Sequence, residues 1–250
     1  DLAQRTLDDY KGYIVPLKIY FAPPMLPADV EPKHVQEYLD IGKKNKRAIQ
    51  SNREKACFSS CMSWLIRAGK VPGLVVNPCL RSSGIKRNPE QKRKRYVEHD
   101  EYMDVYAVAP FQVQALMELT YRTLQRPESD IIHWDLANLP IKDGKRIIRN
   151  QQNKVIGTTG KIVDIEITTD LETLINKLIG KVPKIGRTLI HGTRGKYRDK
   201  PYTYDGISGM LKRAIAKANA IRESQGKDKI KPFGFRDLKG KGATDMWQAG

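Results

Sequence analysis

The chain has 250 residues, of which 40% are apolar and 29% charged, with a formal net charge of +17 and a pI near 9.7. That length suits one large domain or two ordinary ones, and the apolar share is enough for a real core. No apolar run reaches the ~18 residues of a membrane span, and the N-terminus lacks the charged-then-apolar layout of a signal peptide, so no membrane partner is expected.

The first residue is Asp rather than Met, from which missing upstream residues are expected. The basic excess points to a polyanion as partner, nucleic acid first. Residues 1–97 hold 19 Lys and Arg against 9 Asp and Glu, a net of +10; the remainder holds 26 against 19, a net of +7. Both halves are therefore expected to touch the same polymer. Cys57, Cys61 and Cys79 give a poor metal-ligand spacing and read as buried free thiols, so no metal is expected.

In chain order, Leu2 to Tyr10 reads as a short helix, after which Pro16, Pro23, Pro24 and Pro27 break the chain. Residues 31–40 read as a second helix with Pro32 in its first turn. The charge run Lys43, Lys44, Lys46, Arg47 leads into the strongest helix of this half, about Ala48 to Gly69. There Cys57, Cys61, Trp64, Leu65 and Ala68 are spaced as a buried stripe. Asn77 is placed to cap a short helix begun by Pro78. Residues 86–95 are the most basic stretch and carry almost no apolar side chains. They read as a linker, either merely solvated or crossing a phosphate backbone. The expected division is 1–92, a linker at 93–97, and 98–250.

Beyond the linker, helices are expected over 98–105 and 111–124, the second with apolar residues at Val113, Leu116, Met117, Leu119 and Leu124 on one face. Pro127 fits the first turn of a further helix, leaving Arg126 at a junction between helices. There its planar fork matches two phosphate oxygens, unless it only pairs with Glu128 or Asp130. Residues 141–150 and 161–168 read as strands joined by a turn-rich connection, a β-hairpin. Helices follow over 170–178, with Thr169 as cap, over 204–220, with Lys212, Arg213 and Lys217 on a basic face, and over 235–249. Residues 189–197 read as loop.

The phrase Leu119-Thr-Tyr-Arg-Thr-Leu-Gln-Arg-Pro127 resembles the first-arginine box of the tyrosine recombinases, the phage integrases. Leu124 stands where that box usually has Gly, and Trp134 comes about one residue early. Residues 235–244, Phe-Arg-Asp-Leu-Lys-Gly-Lys-Gly-Ala-Thr, resemble its His-x-x-Arg box. Asp237, Leu238, Ala243 and Thr244 are in register, but Arg236 stands for the histidine and Lys239 for the second arginine. In the first half, Asn52-Arg53-Glu54, Asn77-Pro-Cys79 and the Arg93 to Val97 run are similar to the helical core-binding domain of the same family.

The resemblance implies an α+β fold, mostly helical, in which an N-terminal helical domain precedes an incomplete α/β catalytic domain with a small antiparallel sheet. It implies strand transfer through a covalent 3′-phosphotyrosine, without metal or nucleotide cofactor. Two arginines would clamp the phosphate oxygens and a lysine would act as acid toward the leaving hydroxyl. Carried over residue by residue, it implies catalytic roles for Arg126, Lys154 (Lys161 as second choice), Arg236 and Lys239. It implies DNA contacts at Lys43, Lys44, Lys46, Arg47, Arg53, Lys92, Arg93, Lys94 and Arg95. The expected partners are a double-stranded attachment site and, in the active complex, a tetramer of copies; the expected setting is the cytoplasm of a bacterium. None of the eleven tyrosines sits where the nucleophile is expected, and Lys239 lacks the bidentate fork. The chain is therefore expected to bind DNA without cutting it. The alternatives are an inactive DNA-binding remnant or regulator, and a helical RNA-binding or scaffold protein.

Overall fold

A computed structural model describes residues 3–91, 94–152, 159–180 and 183–250. The chain divides into two compact units, Asp1–Arg93 and Lys94–Gly250.

The first unit is built on three helices, α1 (Gln4–Tyr20), α2 (Pro32–Lys44) and α3 (Ala48–Arg67). The first helix does not end near Tyr10: it runs through Pro16 to Tyr20. Proline removes one backbone donor, but the residue whose carbonyl its ring approaches is Gly12, and the far end of the helix is held by packing. Leu17 is buried, and Tyr20 sits 5.1 Å from the Tyr38 ring; next along the chain, Phe21 stacks on Phe58 at 4.4 Å. The second helix extends four residues past the expected end, to Lys44.

On α3 the buried side is not the expected stripe. Cys61, Trp64 and Ala68 face solvent, whereas Ser51, Asn52, Glu54, Cys57 and Met62 are buried. Polar residues mark the inner face because a buried network, not only apolar contact, joins α2, α3 and the basic stretch. Glu54 accepts from Tyr38 Oη at 2.5 Å and from Arg47 Nη2 at 2.6 Å. Asn52 exchanges bonds with the Asn88 backbone, and Asn88 Nδ2 donates to the Leu39 carbonyl. The start of the basic stretch is thus docked on this unit rather than free of any core. Asn77 caps a turn through Cys79 N, and the 3-10 helix that follows begins at Arg81.

The second unit comprises α4 (His99–Val108), α5 (Phe111–Thr123), a three-stranded antiparallel sheet, α6 (Thr169–Ile179), α7 (Tyr204–Ser224) and α8 (Phe235–Gln248). The sheet has the order β1 (Ile141–Lys142), β2 (Lys145–Gln151), β3 (Ile162–Glu166), with Ile148 opposite Ile165. The single strand expected over 141–150 is a hairpin, because Asp143 and Gly144 both take positive φ, as a two-residue Asp-Gly turn requires. Thr168, not Thr169, flanks α6.

The core lies around α5, whose Val113, Leu116, Met117 and Leu119 are fully buried. α8 crosses α5 closely at Gly242, where a Cβ would stand 2.1 Å from the Tyr121 carbonyl oxygen. Arg222, only 9% exposed, ties α7 to α4 by donating to Asp104 at 2.6 Å and Asp100 at 3.1 Å. The entering segment is woven in: Arg95 pairs with Glu101 at 2.7 Å and donates to the Lys231 carbonyl, and Val97 is fully buried.

Candidate phosphate-binding site

Three residues past the end of α5 the chain presents Arg126, and the way it gets there is local. Leu124, at the C-cap of α5, takes a left-handed conformation with φ 54°, so the helix stops and the backbone turns. Gln125 then anchors the turn to the sheet. Its Oε1 accepts from Asn150 Nδ2 at 2.9 Å and from Gln152 Nε2 at 3.2 Å, and Asn150 Oδ1 in turn accepts from the indole of buried Trp134 at 3.0 Å. Pro127 does not open a regular helix. Residues 127–130 form turns closed by Asp130 N and Ile131 N donating to the Arg126 carbonyl, and a single 3-10 turn, Ile131–His133, follows.

The Arg126 guanidinium is not absorbed by a carboxylate. Its nearest is Asp130 Oδ2, 3.9 Å from Nη1, beyond hydrogen-bond reach, and Nη1 is buried without a hydrogen-bond partner. Asp130 is itself buried and accepts from the Arg126 amide. Lys239, half-buried on α8, faces this guanidinium. Burial first, then the Arg126 charge, pull its ammonium pKa below the ordinary value, with Asp130 opposing. Two cations and the Asp130 carboxylate thus act on one another in a partly desolvated place, an arrangement that an anion would relieve.

Arg236 lies one turn before Lys239 on the same side of α8, since Phe235, Leu238, Lys241 and Gly242 take the buried side. Its side chain is 75% exposed and donates to Glu128 at 2.7 Å. Tyr204, at the start of α7, packs its ring 6.3 Å from Phe235, and burial raises its phenol pKa, with Arg236 and Glu128 among the charges acting on it.

The structure therefore brings Arg126, Lys239 and Arg236 together. Lys154, Lys92 and Arg93 lie outside the described residues. Lys161, at the foot of β3, is exposed. Lys43, Lys44, Lys46, Arg53 and Lys94 are exposed, and Arg47 is half engaged by Glu54. Arg95 is different: its side chain is 14% exposed, it bonds to the Tyr96 carbonyl, and Phe233 lies under the guanidinium at 5.9 Å, so its charge is spent inside the protein. Of the cysteines, Cys61 is exposed, against the expectation of three buried thiols. Among the described residues no His, Cys, Asp and Glu cluster is disposed to hold a metal ion, and no helix is long and apolar enough to cross a membrane. The sequence reading gave no role to Gln125, though it stands inside the first-arginine phrase, or to Asn150, which lies in no motif; their relay to Trp134 becomes visible only through the fold.

The described architecture is the fold of DNA-bound integrases and site-specific recombinases. One similar structure is a lambda integrase (75–356) dimer bound to a COC′ core site: TM-score 0.70, 20% identity, 98% of this chain and 83% of the other covered. Another is the Tn1549 transposon integrase in complex with circular intermediate DNA, at TM-score 0.68 and 13% identity over 100% of this chain and 83% of the other. A third is the XerH site-specific recombinase on palindromic difH, at TM-score 0.67 and 12% identity over 98% of this chain and 69% of the other. No protein-family model and no curated protein sequence matches the chain.

Proposed function

We propose that this chain is a site-specific DNA recombinase of the tyrosine type, and that Arg126, Lys239 and Arg236 hold the phosphate at which strands are exchanged. The observation that carries this reading is the unpartnered Nη1 of Arg126 beside the depressed ammonium of Lys239. Buried polar groups almost always have partners, so a guanidinium with an open donor next to another cation is suited to take an anion. The shared fold with proteins crystallised on DNA supports a duplex as the source of that anion.

Within this reading the residues divide the work. Arg126 addresses two phosphate oxygens from a turn fixed by the Gln125–Asn150–Trp134 relay. Lys239 adds a point charge, without the geometric fork a second arginine would give. Arg236 is held by Glu128 until a phosphate competes for it, which costs little because an exposed pair is worth at most about 1 kcal/mol. Clamping oxygens this way stabilises the charge that grows on a phosphate under attack. An attachment site built of half-sites, and copies of the chain assembled on it, belong to the same proposal.

The part of this reading that the site's own residues carry is the grip on DNA. Tyr96, Tyr102 and Tyr121 are engaged in internal hydrogen bonds, and none of them is given the nucleophile's role here. The test is binding to duplex DNA across a salt series. Arg126→Ala and Lys239→Ala should each weaken binding and reduce the salt slope by about 0.9, the signature of one lost phosphate contact. Unchanged slopes in both variants would remove the phosphate site from this part of the molecule.

A further inference from the structure

The buried side of α8 carries a second cation that the phosphate site does not use. Lys241 is 2% exposed along its side chain. Its Nζ lies 3.0 Å from Asp245 Oδ2, 3.1 Å from Tyr96 Oη, and over the Tyr96 and Tyr121 rings at 4.7 and 5.9 Å. Asp245 completes the set by accepting from Tyr96 Oη at 2.5 Å and from Tyr121 Oη at 2.8 Å.

We infer that Tyr96, Tyr121, Lys241 and Asp245 form a positioning knot that sets the rotation of α8 about its axis, and so the aim of Lys239 and Arg236. It rests on the phosphate reading above and adds to it a set of residues that touch no phosphate.

The argument is one of energy and direction. Burying an ammonium and a carboxylate is expensive, and an apolar cluster of the same volume would stabilise the crossing as well or better. What an apolar cluster cannot do is fix orientation, because dispersion and hydrophobic contact are non-directional. Here two phenols on different segments address the two oxygens of one carboxylate, while the ammonium one turn away on the same helix bonds back to one of them. A turn of α8 by one residue, about 100°, would break all of these bonds and carry Lys239 away from Arg126. The knot also selects what it holds. Tyr121 is on α5, three residues before the Leu124 turn that presents Arg126, so both arms of the phosphate clamp are referred to one carboxylate. Tyr96 belongs to the segment that enters this unit, pinned on either side by Arg95 and Val97. The path of the entering chain is therefore tied to the aim of α8 through one phenol. Burial alone would pull the Lys241 pKa down, but the bonds to Tyr96 and Asp245 raise it, so the charge is kept.

The experiment is a double-mutant cycle on the full 250-residue chain, read as affinity for a duplex oligonucleotide. Tyr96→Phe keeps the ring over Lys241 and removes only the hydroxyl, so the fold should persist; Tyr121→Phe removes the other donor to Asp245 and serves as the second variant. Each should weaken DNA binding about fivefold when Lys239 and Arg236 are present and by less than about 1.5-fold when both are already Ala, since misaimed cations and missing ones are equivalent. Equal losses in both backgrounds, or a loss that merely follows a fall in Tm, would reduce the knot to a stabilising contact and overturn the inference. A silent Lys239→Ala would overturn the phosphate reading as well, which separates the two failures.

Discussion

Lys239 is the residue of the proposed phosphate site whose state depends on pH in a definite direction. Its folded pKa lies below the ordinary 10.5, through burial and then Arg126. The protonated form is therefore disfavoured by folding: its cost is present in full below the folded pKa and is relieved as pH rises toward 10.5. A bound phosphate works the other way and recovers the proton, so DNA affinity should fall as pH rises through that same window. Lys239→Arg cannot lose its proton and gains a fork. Titration of DNA binding from neutrality upward should show the wild type weakening at lower pH than the arginine variant, which keeps its charge at this position. A parallel decline of both would place the titrating group elsewhere.

The cysteines give a second test at the same scale. Burial pushes Cys57 up to about 11 and Cys79 up to about 12, so both stay as unreactive thiols near neutrality, whereas Cys61 is exposed. A thiol reagent applied to the native protein should consume one equivalent quickly and the other two only after unfolding. The periodicity that placed Cys57 and Cys61 on one buried stripe holds for Cys57 and fails for Cys61, because spacing gives a face but not which face is inside. The inner face of α3 is chosen by Glu54 and Asn52, polar residues that a hydrophobic count passes over. Leu124 was opaque for a related reason: a left-handed cap is legible as Gly and silent as Leu.

Among the elements, α8 shows how much the pattern did reveal. Its span was readable, and Phe235, Leu238 and Gly242 at helical spacing leave Arg236 and Lys239 on the other side. Its partner was not, since the crossing with α5 is decided by one glycine. Two substitutions in the same helix separate these effects. Gly240→Ala meets nothing within 4 Å and should stabilise by about 0.5–1 kcal/mol through helix propensity. Gly242→Ala drives a methyl into the Tyr121 backbone and should destabilise by about 1–3 kcal/mol, with DNA affinity falling alongside as α8 is displaced. Urea midpoints at unchanged m-value measure both. The hairpin Asp143-Gly144 was legible in principle, and reading 141–150 as one strand missed a turn signal that the sequence carries openly. The end of α1 was not, because Pro16 is overruled by aromatic packing farther along the helix.

At the scale of the whole molecule, the positive charge lies in two units with separate cores, one around Val35, Leu39 and Met62 and one around α5. Each core is large enough that the polypeptides 1–91 and 94–250 should unfold cooperatively on their own. Each should also bind duplex DNA weakly, since both carry exposed lysines and arginines that release counterions on contact. Joined by a short connection, the second contact becomes intramolecular, and the full chain should bind about 10²–10⁴ times tighter than the better unit alone. The gain belongs to the connection rather than to any new contact, so inserting a long flexible Gly-Ser segment after Arg93 should erode it while leaving each unit's own affinity and the total salt slope unchanged. Fluorescence anisotropy on a labelled duplex, run at one salt concentration for the two units, the full chain and the inserted chain, decides it. An inserted chain as tight as the wild type would mean that the connection contributes through its own contacts. In that case the exposed Lys94, rather than the tether, would be the residue to remove next.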